Sequence, residues 1–269
     1  MNRIDSLFSR LKDEKRTAMI AYITGGDPTL EASAKVALSL EDAGVDILEL
    51  GIPFSDPLAD GSTIQAAAGR ALASGATVPG ILTLIREIRK KSQIPIVLFA
   101  YLNPVYIYGF DKFQRDAAES GADGLLLLDL PPQEASRNAE LASTGTLKTI
   151  RLIAPTTPPE RLKEITETAE GFIYYVSREG VTGEQTSLSS DIAERVSGIR
   201  ALTKVPVAVG FGISNPEQAA TVAGLADGVV VGSAIVRKIG EIGNTPELPN
   251  KIAEFVRPIA EAVHGVKRD

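Results

Sequence analysis

Short apolar runs alternate with segments of helical period along the chain. The runs Ala18–Thr24, Asp46–Gly51, Pro95–Tyr101, Gly124–Leu128, Thr149–Ala154, Phe172–Val176, Pro206–Gly210 and Gly228–Gly232 have the length and apolar content of buried strands. Between them the spacing predicts helices over Pro28–Ala43, Val78–Lys91, Phe110–Ser120, Glu134–Ala142, Pro159–Ala169, Asp191–Leu202 and Pro216–Ala223, with a long closing helix over Pro249–His264. Ala43-Gly44-Val45-Asp46-Ile47, Ser120-Gly121-Ala122-Asp123-Gly124 and Gly224-Leu225-Ala226-Asp227-Gly228 repeat one form. Each ends a helix near glycine and enters an apolar strand through an aspartate, as an αβ junction does. Pro95 and Pro206 each open a strand, where a missing N–H costs no ladder bond.

Strands apolar on both faces and regularly alternating with helices imply an α/β fold, a parallel sheet covered by helices. Such a sheet is either doubly wound or closed, and eight units in 269 residues favour the closed eight-stranded barrel. No Ser/Gly-rich linker or charge block divides the chain, so residues 1–269 are read as a single domain.

Charge and composition narrow the chemistry. Lys+Arg of 28 against Asp+Glu of 34 gives a net charge of -6 without a basic arm, which argues against nucleic acid as a partner. The opening residues lack a long apolar run and no segment is apolar enough to span a bilayer, so no membrane is expected and the expected compartment is the cytoplasm. The absence of cysteine rules out disulfides, thiolate ligands and a thiol nucleophile. The single histidine, His264, lies on the amphipathic closing helix and is read as a solvated surface residue. No cluster has metal-ligand spacing, and no metal is expected.

In a parallel barrel the reacting groups sit at the C-terminal ends of strands and on the loops that follow. Here those ends read Glu49, Tyr101, Asp129, Tyr174, Gly210 and Gly232. In Ile47-Leu48-Glu49-Leu50 the side chains alternate, so Glu49 shares a face with Ile47 opposite Leu48 and Leu50. A carboxylate in apolar surroundings has its pKa pushed up until it can give or take a proton near neutrality, which makes a general acid/base. A structural ion pair is the plainer alternative, yet no lysine or arginine lies between Lys35 and Arg70. Asp56 and Asp60 follow on the next loop; Pro57 and Gly61 beside them also suit ordinary turn residues, Asp56 more than Asp60.

Gly210-Phe211-Gly212-Ile213-Ser214 and Gly232-Ser233-Ala234-Ile235 each place glycine before a helical segment, where backbone N–H groups can meet an anion. Tight turns alone would also use these glycines. Two such motifs after the seventh and eighth strands favour phosphate, a recurring device of barrels. The polar stretch from Val181-Thr182-Gly183 to about Ser190 is long for a βα turn and reads as a candidate lid. Tyr174 and Tyr175 face opposite ways, so one of them is packing.

With these motifs in place, the chain closely resembles the α subunits of tryptophan synthase over nearly its whole length. The most specific element is Leu48-Glu49-Leu50-Gly51-Ile52-Pro53-Phe54-Ser55-Asp56-Pro57-Leu58-Ala59-Asp60-Gly61, continued by Thr63-Ile64-Gln65. Ser177-Arg178-Glu179-Gly180-Val181-Thr182-Gly183 and the two glycine motifs support it. The resemblance implies a (β/α)8 TIM barrel and a lyase of tryptophan biosynthesis that cleaves indole-3-glycerol phosphate into indole and glyceraldehyde 3-phosphate. It implies Glu49 as the proton carrier and Asp60 as the stabiliser of positive charge at the indole nitrogen. Gly183, Gly212, Gly232 and Ser233 would hold the phosphate, with Gly210 and Phe211 nearby. Tyr22, Ile64, Phe99, Tyr101, Leu126 and Tyr174 would line the pocket, and Thr182 would close the lid over Asp60. Pro53, Phe54, Asp56, Asn103 and Pro131 would face a β subunit in an allosteric α2β2 heterotetramer. The β subunit, not this chain, would carry pyridoxal phosphate; no cofactor is expected here. Tyr22 stands where the family commonly has phenylalanine, and Glu179 where a small residue is usual. Two alternatives stay open: a free-standing lyase that releases indole, and a non-catalytic phosphate-sensing activator of a partner.

Overall fold

The computed structural model describes residues 2–137, 145, 147–177, 185–210 and 212–267. Strands β1 (Ala18–Thr24), β2 (Ile47–Gly51), β3 (Ile96–Ala100), β4 (Gly124–Leu127), β5 (Lys148–Ile153), β6 (Ile173–Val176), β7 (Val207–Gly210) and β8 (Gly228–Val231) pair in chain order, all parallel. β1 pairs with β8 as well as β2, which closes the barrel and excludes the doubly wound alternative. The helices are α1 (Arg3–Asp13), α2 (Leu30–Asp42), α3 (Ser62–Ala73), α4 (Val78–Arg89), α5 (Leu102–Tyr108), α6 (Phe110–Ser120), α7 (Pro132–Arg137), α8 (Pro159–Thr168), α9 (Gln185–Arg200), α10 (Pro216–Ala223), α11 (Ser233–Ile242) and α12 (Leu248–Gly265).

Alternation along the strands separates two cores. Ala18, Ile20, Ile47, Val97, Leu126, Ile150, Phe172, Ala208 and Val230 point into the barrel. Met19, Leu48, Leu50, Ile96, Leu98, Val207, Val209 and Val229 point outward and pack under the helices. Helix starts follow capping chemistry: Asn2, Thr29, Thr77 and Asn215 accept the N–H groups of Ile4, Ala32, Gly80 and Gln218.

Four helices have no predicted span: α11, expected only as a helical segment after Gly232, and α1, α3 and α5. α1 carries Ile4, Leu7, Phe8 and Leu11 at helical spacing and seals the N-terminal end of the barrel by joining the inner core. α3 buries only Ala67, Ala68 and Ala71, too little apolar bulk to register as a period. α5 spans 7 residues, shorter than a periodic signal needs. α9 begins at Gln185, so part of the stretch expected to be a loop up to Ser190 is helical; its packed residues, Ile192, Val196 and Ile199, are what the period reports. The helix expected over Glu134–Ala142 overlaps α7, and its remainder lies outside the described residues.

The repeated aspartates all work at the N-terminal face. Asp46, Asp123 and Asp227 accept the N–H groups of Met19, Ile96 and Val207 at 2.8, 2.9 and 2.8 Å, and Glu170 accepts that of Thr149 at 3.0 Å. Each acid just before an even-numbered strand thus caps the strand before it. Gly44 and Gly121 hold φ of 101° and 100°, which favours glycine, whereas Gly224 sits at φ −69° and has no such need. Two of the acids have cations: Arg89 and Arg3 each reach Asp123 at 2.9 Å, and Arg200 reaches Asp227 at 3.1 Å. His264 Nε2 lies 2.8 Å from Asp46 Oδ2. His264 is therefore not the solvated residue expected, because α12 folds back over this junction and offers its ring to a half-buried carboxylate.

Candidate active site at the C-terminal mouth of the barrel

Glu49 sits on β2 in register with Tyr22 of β1 and Val97 of β3. Its exposure is 0%, and neither carboxylate oxygen has a hydrogen-bond partner. Burial pushes its pKa up to about 8, so the carboxyl is largely protonated at neutral pH. Burying an acid without a hydrogen-bond partner is costly, and a group perturbed in this way inside a cavity marks a candidate functional site.

Asp60 is half-buried on the loop after β2. The Tyr101 hydroxyl donates to its Oδ2 at 3.1 Å and itself accepts the Ala59 N–H at 3.0 Å, while Phe54 packs its ring 5.3 Å from that of Tyr101. Burial raises the Asp60 pKa and the Tyr101 hydrogen bond opposes that rise. The two acids thus differ in kind: Glu49 has no partner, and Asp60 has a donor that favours its charged form.

Both line one cavity of about 340 Å³. Tyr22, Ile64, Phe99 and Tyr174 form its walls, with Gly210, Gly212, Gly232 and Ser233 at its rim. Tyr22 and Phe99 meet edge to face with centroids 5.1 Å apart. Glycine is required at two places by the tyrosines: a Cβ on Gly51 would lie 2.2 Å from the Tyr22 hydroxyl, and one on Gly210 would lie 2.3 Å from that of Tyr174. The extra hydroxyl of Tyr22 is thereby accommodated over Gly51, 3.4 Å from Thr24 Oγ1. Burial raises the pKa of both Tyr22 and Tyr174, so each remains a neutral phenol.

The two glycine motifs prove unequal. α10 is closed by its own residues, since Asn215 caps Gln218 and the Gln218 side chain accepts the Ser214 N–H at 3.0 Å. α11 begins directly after Gly232 with no side-chain cap, leaving its first N–H groups open beside the cavity. Gly212 holds φ of 61°, a left-handed turn that brings backbone to the same rim.

Several expected positions fall elsewhere. Leu126 is fully buried one layer below the cavity, and Leu128 lines the wall instead. Leu152, Val176, Ser177 and Val230 also line it; period-two extension from the inward residues of β5, β6 and β8 would have found all but Ser177. Asp129 accepts the Leu102 N–H at 2.7 Å and so caps α5. Tyr175 packs in the outer core, opposite Tyr174. Among the expected interface residues, Asp56 and Asn103 are exposed, Phe54 and Pro131 half-buried, and Pro53 buried. Thr182, Gly183, Phe211 and Glu179 lie outside the described residues. Among the described residues, no group of three or more His, Cys, Asp or Glu could hold a metal ion, and no single helix is long and apolar enough to cross a membrane.

Fold and site together define a (β/α)8 barrel with a buried acid at its C-terminal mouth and an uncapped helix start at the cavity rim after β8. The family described as tryptophan synthase alpha chain matches residues 8–264. The tryptophan synthase alpha chain of Geobacter sulfurreducens is 47% identical over 263 residues, 98% of this chain and 99% of that protein. That of Opitutus terrae is 47% identical over 268 residues, covering 100% of both. The crystal structure of tryptophan synthase subunit alpha from Legionella pneumophila superposes with a TM-score of 0.89 at 38% identity, over 99% of this chain and 100% of that one. The chain belongs to the tryptophan synthase alpha chain family.

Proposed function

We propose that this chain cleaves indole-3-glycerol phosphate to indole and glyceraldehyde 3-phosphate, with Glu49 as proton carrier and Asp60 as electrostatic partner. The observation that carries this reading is the protonated, unpartnered Glu49 at the floor of a mostly apolar cavity. Its carboxyl protonates C3 of the indole ring and leaves a cation delocalised onto the ring nitrogen, which Asp60 stabilises. The resulting Glu49 carboxylate takes the proton of the adjacent glycerol hydroxyl. The bond from C3 to the side chain then breaks, its electron pair returns to the ring, and the hydroxyl carbon becomes the aldehyde. Glu49 ends protonated, ready for another turn. Gly212, Gly232 and Ser233 hold the phosphate at the open start of α11, and Tyr22, Ile64, Phe99 and Tyr174 sandwich the indole.

No step in this sequence needs a group beyond these side chains, so the chain is read as acting without a cofactor of its own. Its partner is a β subunit carrying pyridoxal phosphate in an α2β2 assembly. Phe54, Asp56 and Pro131, on the loops after β2 and β4, and Asn103, at the start of α5 after β3, support that reading by lying at the C-terminal ends of the strands, and buried Pro53 stiffens the first of these loops.

Indole release by the purified chain, alone and with a tryptophan synthase β subunit, tests the proposal. Slow release that the β chain raises strongly is expected. Fast release alone would identify a free-standing lyase, and none under either condition would overturn the reaction. Glu49→Gln should lower release by ~10²–10⁴-fold, the range of a lost general acid/base.

A further inference from the structure

Asp27 and Arg70 form a bidentate pair that the proposed chemistry does not use. Arg70 donates from Nε to Asp27 Oδ1 and from Nη2 to Asp27 Oδ2, both at 2.8 Å. The Asp27 side chain is 1% exposed and that of Arg70 38%. A buried carboxylate gripped by a planar fork is fixed in direction as well as in charge.

Arg70 lies on α3, and α3 starts directly after Asp60 and Gly61 and lends Ile64 to the cavity wall. Its guanidinium also rests on α11, since a Cβ on Gly240 would lie 2.9 Å from Arg70 Nη2. α11 in turn starts at Ser233 on the cavity rim. Both helices therefore begin at the cavity and meet the guanidinium further along. At 1.5 Å per residue, Arg70 and Gly240 lie about 10 Å beyond Ile64 and Ser233. Nearer the cavity the same helices touch through Ala67 and Val236, packed with Tyr22. Ser74 adds a bond from α3 to the Gly26 carbonyl at 3.0 Å, tying the helix to the loop that carries Asp27.

We propose that Asp27 and Arg70 are positioning residues that clamp α3 to α11 and so set the distance between Asp60 and the phosphate cradle. The inference rests on the reading of the site above. Ground-state binding needs only the cradle and the apolar walls, whereas the transition state needs Asp60 and the anchored phosphate in register. Loosening the clamp should therefore lower kcat and spare KM.

Arg70→Lys keeps the charge and loses the fork. It is expected to lower kcat by ~10-fold or more, with KM within about twofold of the parent. Gly240→Ala separates positioning from simple stability, because alanine is the better helix former and yet its methyl displaces the guanidinium. It should lower kcat by more than any change in the folded fraction accounts for. Hydrogen exchange reads the clamp without substrate: both variants should lose protection at residues 62–68 and 233–239. Unchanged kcat and unchanged exchange in both would overturn the clamp, as would a kcat loss that merely tracks the folded fraction. Failure of the parent chain to release indole would instead count against the proposed reaction, and the exchange result would still decide the clamp.

Discussion

Glu49 is kept in a state that water would not allow. Its carboxyl has a folded-state pKa of about 8 against an ordinary 4.5, and burial is the sole cause. The native chain therefore holds a proton that the unfolded chain releases between those values, and stability falls as pH rises through that window. The contribution is full below the ordinary value and gone above about 8, at roughly 1.4 kcal/mol per pH unit across the window. Glu49→Gln has no such proton to lose. Urea unfolding of both chains at pH 5 and pH 8 should show the variant gaining on the parent as pH rises, by several kcal/mol at the upper end. A gap that does not widen would mean that Glu49 is solvated or paired in solution. The parent's cleavage rate should fall as pH passes about 8, because the acid that protonates the ring is then ionised.

At the scale of elements, the two ends of each strand do different work. The C-terminal ends carry the cavity, and the N-terminal ends carry the capping acids that hold one strand to the next. Asp123 is the most heavily engaged of these: it caps Ile96 and binds both Arg3 and Arg89. Asp123→Ala leaves Arg89 buried without its carboxylate and should destabilise the chain by about 3–5 kcal/mol. Activity per folded molecule should stay near that of the parent, since this face of a barrel serves stability. Thermal unfolding together with the rate corrected for folded fraction checks both halves.

At the scale of the molecule, the surface beside the cavity mouth is less polar than the rest of the exterior would lead one to expect. Leu58, Tyr106 and Ile107 are 83%, 56% and 77% exposed, on the same loop as Asp56 and the same short helix as Asn103. Apolar side chains gathered on the loops and the short helix around a site suit a protein partner. Ile107→Asp should leave basal indole release unchanged and abolish its stimulation by the β subunit, as measured by titrating that subunit into a steady-state assay. Stimulation that persists would place the partner on another face.

The fold could be read from the chain because a β/α barrel writes itself locally. A strand buried on both sides is apolar throughout, a helix over it has a stripe, and three of the αβ junctions repeat a glycine and an aspartate. Glu49 was legible for the same reason, as a charge on the inward face of one strand, and so was the open start of α11 at Gly232. Only closure of the barrel settled what lies at which depth and against what. Leu126 and Leu128 share a face and differ by one layer, and that layer is fixed by the register of eight strands together. Partners far apart in the chain obey no local period. Tyr101 with Asp60, His264 with Asp46 and Arg70 with Asp27 are brought together by loops and helices whose paths the tertiary packing alone decides. Sequence determined the faces of the elements, because side-chain alternation is a property of each backbone segment. The tertiary structure decided the pairs and the depths, because those depend on where every other segment comes to rest.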